Sequence, residues 1–239
     1  MRKQLLAAAV ATLAISGTAV AHEPGDVILR VGAARVSPVD SSTKISTGVT
    51  GKIPGTKAGV NGNNQVGLTG TYIVAPHLGI EVLAATPFTH KVNVKGIPNV
   101  GGVPYSLANG KFADVKHLPP TISAQYFFLD PKSKFQPYAG VGLNYTWFFD
   151  EQLTKHQKSL GFSKLKLSNS FGLAAQLGAD VALTDNLFLN AAVWKIDINT
   201  KARATHNDIP GNPGTALGRV KVDVDVDPWV YFVGVGYKF

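Results

Sequence analysis

The 239-residue sequence predicts an all-β fold: an eight-stranded antiparallel up-and-down transmembrane β-barrel with long extracellular loops and short periplasmic turns. Three observations predict it. Apolar residues recur at every second position through eight segments. The connections between those segments alternate between long and short. The chain also ends on an alternating strand, "VGVGYKF" (233–239), with the aromatic Phe239 at its tip.

The first segment, 26–37, sets Val27, Leu29 and Val31 against Arg30, Gly32 and Ala34. In 64–75, Val66, Leu68, Tyr72 and Val74 alternate with Gly67, Thr69 and Thr71. In 79–92, Ile80, Val82 and Ala84 oppose Glu81, and in 119–129 Ile122, Ala124, Tyr126 and Phe128 oppose Thr121, Ser123 and Gln125. The fifth, 136–148, puts Val141, Leu143, Tyr145 and Trp147 opposite Gly140, Gly142 and Asn144. The sixth, 169–183, puts Phe171, Leu173, Leu177 and Val181 opposite Ser170, Gln176 and Asp180. In the seventh, 187–201, the apolar set is Trp194, Ile196 and Ile198, which would turn Lys195 and Asp197 inward. The eighth runs from about Gly218 to Phe239.

Long connections fall at 38–63, 93–118, 149–168 and 202–217, and short ones at 76–78, 130–135 and 184–186. A Greek-key sandwich would mix connection lengths and would not need a broad aromatic outer face. In hydrocarbon every backbone N–H and C=O must be paired, so the last strand must close on the first. Tyr237 and Phe239 then sit at the periplasmic rim, where aromatic girdles lie. A strand ending this way also resembles the C-terminal signal by which outer-membrane barrels are recognised for insertion, and Tyr237 and Phe239 are expected to be read by the barrel-assembly machinery. Within the eighth segment the apolar set changes from even-numbered valines (Val220 to Val226) to odd-numbered residues. A bulge or kink with a change of phase is expected at Asp227-Pro228.

The first 21 residues, "MRKQLLAAAVATLAISGTAVA", read as a secretory signal peptide. Basic Arg2 and Lys3 precede a short apolar core, and the A-x-A site places cleavage between Ala21 and His22. Residues 22–239 are then the barrel. Removing Arg2 and Lys3 lowers the net charge from +8 to +6. The remaining excess lies in the long connections, where Lys and Arg would face outer-membrane lipids and lipopolysaccharide phosphates. There are no cysteines, so stability comes from a closed sheet rather than from disulfides.

No enzyme motif of the G-x-S-x-G, H-E-x-x-H or P-loop type is present. No catalytic residue, cofactor or metal site is assigned, and no nucleic-acid partner is expected of an exported chain without a basic aromatic cluster. The lumen carries the candidate site. Counting upward from the short turns, Arg30, Glu81, Gln125 and Asp180 fall within about four residues of the periplasmic end, roughly 13 Å at strand rise. Buried opposite charges should pair, so these four are expected to form a polar plug, with Arg30 bonded to Glu81 or Asp180. Asn144, Gln176, Lys195 and Asp197 are expected higher in the lumen. Pro87, Pro119 and Pro120 should loosen strand pairing, because proline donates no ladder hydrogen bond. The segment 150–162 reads as a short amphipathic helix on the rim, with Leu153, His156 and Leu160 on one face.

The chain resembles the OmpW family of small outer-membrane barrels. The matching stretches are "LRVGAARVSPVD", "IEVLAATPFTHKV", "KHLPPT", "QPYAGVGLNYTWFF", "LTDNLFLNAAVWKIDINTKA" and "KVDVDVDPWVYFVGVGYKF". The resemblance implies a Gram-negative outer-membrane location and a largely apolar lumen. It also implies passive admission of small apolar solutes, with sideways exit into the membrane. Two other classes stand beside it. One is a structural or surface-interaction barrel without transport. The other is a lipid-modifying enzyme, for which His90, Ser106 and Asp114 are the candidate trio.

Overall fold

The computed structural model describes residues 22–99 and 102–239. The expected signal peptide, including Ala21, lies outside the described residues. Eight strands span the barrel: β1 (Val27–Ser37), β2 (Asn63–Ala75), β3 (Leu78–Ala85), β4 (Thr121–Phe127), β5 (Phe135–Leu153), β6 (Ser170–Ala182), β7 (Leu187–Ile196) and β8 (Trp229–Lys238). All are rich in the β-branched and aromatic residues that suit a pleated surface. Each pairs antiparallel with its chain neighbours, and β1 pairs with β8 from Ile28↔Lys238 to Ser37↔Trp229. The spanning sheet is therefore closed and has no free edge. Among the described residues no helix is long and apolar enough to cross a membrane, and the strands do the crossing.

The outward face is a continuous apolar band. Leu29, Val31, Leu68, Ile80, Val141 and Val233 are among the residues exposed on it. The terminal aromatics Tyr237 and Phe239 are also exposed on this face, with ring centroids 4.8 Å apart. The Phe239 amide donates to the Val27 carbonyl, which ties the chain's last residue to its first strand.

The long connections carry further strands. Segments 88–95 and 110–118 pair with each other, and 110–118 continues along the upper half of β5. Segments 162–167, 199–206 and 218–225 form a second sheet above β6, β7 and β8. The wall thus rises well past the apolar band as an outer tier. Expected strand ends shift accordingly. The third segment breaks at Thr86-Pro87, and the seventh breaks at Asp197-Ile198.

The two apolar faces exchange roles between the tiers. In the spanning tier the outward face is apolar, and the polar side chains point in together with apolar ones such as Ile28, Phe127, Trp194 and Phe232. In the outer tier Ile198, Val224 and Val226 point in and are buried, while Asp197, Asp223 and Asp225 are exposed. The cause is the solvent outside the wall, which is lipid below and water above. This corrects the reading of the seventh segment. Trp194, Ile196 and Ile198 face the interior, and Lys195 and Asp197 face outward rather than lining the upper lumen. Lys195 bonds the Asp227 carbonyl and lies 5.6 Å over the Trp229 ring. The eighth segment is corrected in the same way. It does break at Asp227-Pro228, with Asp227 at φ 34°. Even-numbered residues face inward on both sides of the break, so the polarity of the surroundings changes and the phase does not.

The rim helix is shorter than expected. Only Lys155–Ser159 is helical, capped by the Thr154 side chain, because β5 runs on as strand to Leu153. Leu153 and Gln157 are buried, whereas His156 is exposed and bonds the Leu107 carbonyl.

Candidate functional site

The interior is built in layers. At the periplasmic end Ile28, Ile73, Phe127 and Phe188 form an apolar base, and the His22 ring packs edge-on against Phe127 and Phe188. Above it lies a polar layer. Arg30 and Asp180 are fully buried and form a two-pronged ion pair, Nε to Oδ1 at 2.9 Å and Nη2 to Oδ2 at 2.5 Å. Arg30 Nη1 donates to Thr71 Oγ1 at 2.7 Å and lies 3.5 Å from Glu81 Oε2. Gln125 donates to Gln176, which donates in turn to Glu81 Oε1 at 2.8 Å. The guanidinium therefore stands between two carboxylates, each with further hydrogen-bonding partners.

Glycines make room for this layer. A β-carbon on Gly236 would lie 2.9 Å from Arg30 Cγ, and one on Gly178 would lie 2.5 Å from the Tyr138 ring. Tyr138 fills the space beside Arg30, with the guanidinium carbon 5.8 Å from its ring centre, and accepts a hydrogen bond from Asn190. Together these side chains close the lower lumen.

The structure brings Arg30, Glu81, Gln125 and Asp180 into one bonded cluster. Gln176 belongs to that cluster and not to the upper lumen, because its amide reaches down to Glu81. Asn144 does point inward above it. Its amide donates to the carbonyls of Pro119 and Pro120 and to Thr121 Oγ1, tying down a seam in the wall. Sequence reasoning missed Tyr138, Thr71, Asn190 and His22 as members. Thr71, Tyr138 and Asn190 share the inward alternation of their strands, which is the signal that could have placed them. His22 precedes the first strand and had no such signal. Its imidazole Nε2 lies 3.2 Å from Asp180 Oδ2.

Above the polar layer Trp194 and Phe232 pack edge to face, 6.3 Å apart. The outer tier then encloses an apolar cavity of about 100 Å³. Val36, Val60, Val92, Phe112, Val222 and Val224 line it, and Tyr105, Leu160 and Leu217 approach from the outer end. A cavity of that order admits a benzene-sized molecule.

One stretch of wall below the cavity lacks ladder pairing between its two strands, each of which stays paired on its other side. Pairing between β3 and β4 ends at Leu83↔Thr121 and resumes at Phe88↔His117. Residues 84–87 and 118–120 lie between, and they include Pro87, Pro119 and Pro120. The gap lies level with Trp147, an exposed aromatic opposite Leu118. Phe88, His90 and His117 stack just inside and above it.

The trio considered for lipid chemistry is not assembled. His90 is buried on the inner face with Nδ1 on the Asn61 carbonyl. Asp114 points away on the outer face, where it pairs with Lys111. Ser106 lies in the separate turn 105–108.

Comparison with known proteins places this architecture. The sequence pattern of the OmpW family matches residues 23–239. Outer membrane protein W of Vibrio cholerae is 41% identical over 239 residues, all of both chains. Outer membrane protein W of Escherichia coli is 38% identical over the same length, again all of both chains. The crystal structure of OprG from Pseudomonas aeruginosa superposes with a TM-score of 0.83 at 48% identity, covering 92% of this chain and 99% of that one. The protein is thus a transmembrane barrel of the Gram-negative outer membrane, and the chain belongs to the OmpW family.

Proposed function

We propose that this barrel passively admits small apolar molecules across the outer membrane, and that they leave sideways into the bilayer between β3 and β4. The observation that carries the reading is the order of features along the axis. An apolar cavity stands above a closed polar layer, and the unpaired stretch of wall lies next below His117, which lines the cavity. A molecule moving straight down would have to separate the Arg30–Asp180 pair and desolvate both charges, which is costly. Sideways passage near Pro87 and Pro119 breaks no ladder hydrogen bond, because none is made there. Lipid tails at that level offer an apolar molecule an environment as favourable as the cavity.

The test is entry of a radiolabelled small alkylbenzene into cells with and without the protein in the outer membrane. Faster entry with the protein supports the reading, and equal rates contradict it.

A surface-contact role is the second reading. Paired strands 199–206 and 218–225 present Lys201, Arg203, Arg219 and Lys221 to the outside, and these suit lipopolysaccharide phosphates. Equal uptake with and without the protein, together with lipopolysaccharide binding lost on neutralising those four residues, would favour it.

A further inference from the structure

Among the polar residues that line the mostly apolar cavity, two imidazoles stand together. His90 and His117 lie on paired strands, with ring centroids 4.7 Å apart and planes 19° from parallel. Phe88 and Phe148 flank the His117 ring at 5.5 and 5.6 Å. Both histidines are about 95% buried, and both line the cavity.

The His90 tautomer follows from its one hydrogen bond. Nδ1 lies 2.5 Å from the Asn61 carbonyl oxygen, which can only accept. Nδ1 therefore carries the proton. Burial holds His90 below the usual histidine range. Burial and the nearby His90 push His117 down to about 3. Both rings are neutral at pH 7. In a neutral ring with the proton on Nδ1, Nε2 is a bare acceptor. No protein atom donates to His90 Nε2, and His117 Nδ1 is likewise without a protein partner.

A mostly apolar cavity with an unpaired acceptor of fixed tautomer in its wall selects its occupant. Its complement is a molecule that is apolar over most of its surface and offers a single donor. A charged molecule would lose its hydration against a lining that is mostly aliphatic and aromatic. A hydrocarbon of equal size fits but leaves the acceptor unsatisfied.

We propose that the cavity is a binding site for small neutral molecules carrying one hydroxyl group, phenols and short alcohols, whose O–H donates to His90 Nε2. The proposal rests on the apolar-uptake reading and adds the chemical class of the ligand. His90 also stands just above the unpaired wall, so the same contact holds the molecule beside its exit.

Phenol and toluene test this, because they are nearly equal in size and differ in the hydroxyl. The protein is placed in lipid nanodiscs with ¹⁵N-labelled histidine, and binding is corrected for partition into lipid. One net hydrogen bond favours phenol over toluene by about fivefold. The His90 Nε2 resonance should move with phenol and stay with toluene. His90→Phe should remove the preference for phenol over toluene. If that variant does not fold, the wild-type resonance decides alone. Equal binding of both molecules with no movement of Nε2 would overturn the hydroxyl subsite while leaving apolar uptake standing. Failure of both molecules to bind would overturn the subsite and the uptake reading together.

Discussion

Replacing Arg30 by Met keeps the length of the side chain and removes its charge. The consequence can be worked from the contacts. Arg30 makes two hydrogen bonds to the Asp180 carboxylate, one to Thr71, and a 3.5 Å ion pair with Glu81, all in a fully buried layer. Its removal orphans two carboxylates. Breaking one side of a buried ion pair costs about 3–5 kcal/mol, and losing the charge-assisted hydrogen bond to Thr71 adds about 1.5–3 kcal/mol. The variant should therefore unfold at much lower urea in lipid vesicles, read by tryptophan fluorescence and by heat-modifiable gel mobility. Combining Arg30→Met with Glu81→Gln and Asp180→Asn removes the orphaned charges. That triple variant should recover to within about 2 kcal/mol of wild type, since neutral isosteres often replace buried ion pairs at little cost. Stability of Arg30→Met within about 1 kcal/mol of wild type would refute the reasoning. So would a triple variant no better than the single one.

Three further outcomes are expected. Phe239→Asp should lower the yield of folded, heat-modifiable barrel in cells, because Phe239 ends the strand that closes on β1 and its amide bonds Val27; wild-type yield would remove that role. Mass spectrometry of the mature protein should find His22 as the first residue, and recovery of intact Met1 would contradict cleavage after Ala21. His117, held near 3 in the folded protein, takes up a proton near its ordinary value once unfolded, so folding loses stability as pH falls below about 6.5, by up to about 1.4 kcal/mol per pH unit. Imidazole nitrogen shifts should show a neutral His117 at pH 5; a charged ring at that pH would contradict the burial argument.

The spanning tier was legible in the sequence because a bilayer imposes a strict rule. Lipid outside and a packed lumen inside force alternation at every second residue, and Arg30, Glu81, Gln125 and Asp180 stood out as the polar exceptions near the short turns. The same rule misled where the lipid stops. Trp194, Ile196 and Ile198 were apolar and were assigned outward, yet all three are buried in the interior. Lys195 and Asp197 followed them to the wrong face. The alternation itself never changed; only the surroundings did, and a sequence does not print the height of a residue above the membrane. The outer tier was illegible for a second reason. Pairings such as 162–167 with 199–206 join segments far apart in the chain, so their register depends on tertiary contacts. The acceptor on His90 lay further out of reach, because its tautomer depends on the Asn61 carbonyl contributed by another segment.

The most direct test of the central claim compares two barriers in one uptake assay. In one variant Pro87→Val and Pro120→Val restore ladder donors to the unpaired wall. In the other, Arg30→Met, Glu81→Gln and Asp180→Asn neutralise the polar layer. Entry of a radiolabelled alkylbenzene is measured in cells holding equal amounts of folded protein. The account predicts that the restored ladder slows entry to the rate of cells without the protein, and that the neutralised layer leaves the wild-type rate unchanged. Unchanged entry through the restored ladder, with entry altered by the neutralised layer, would contradict it and establish a straight passage down the lumen.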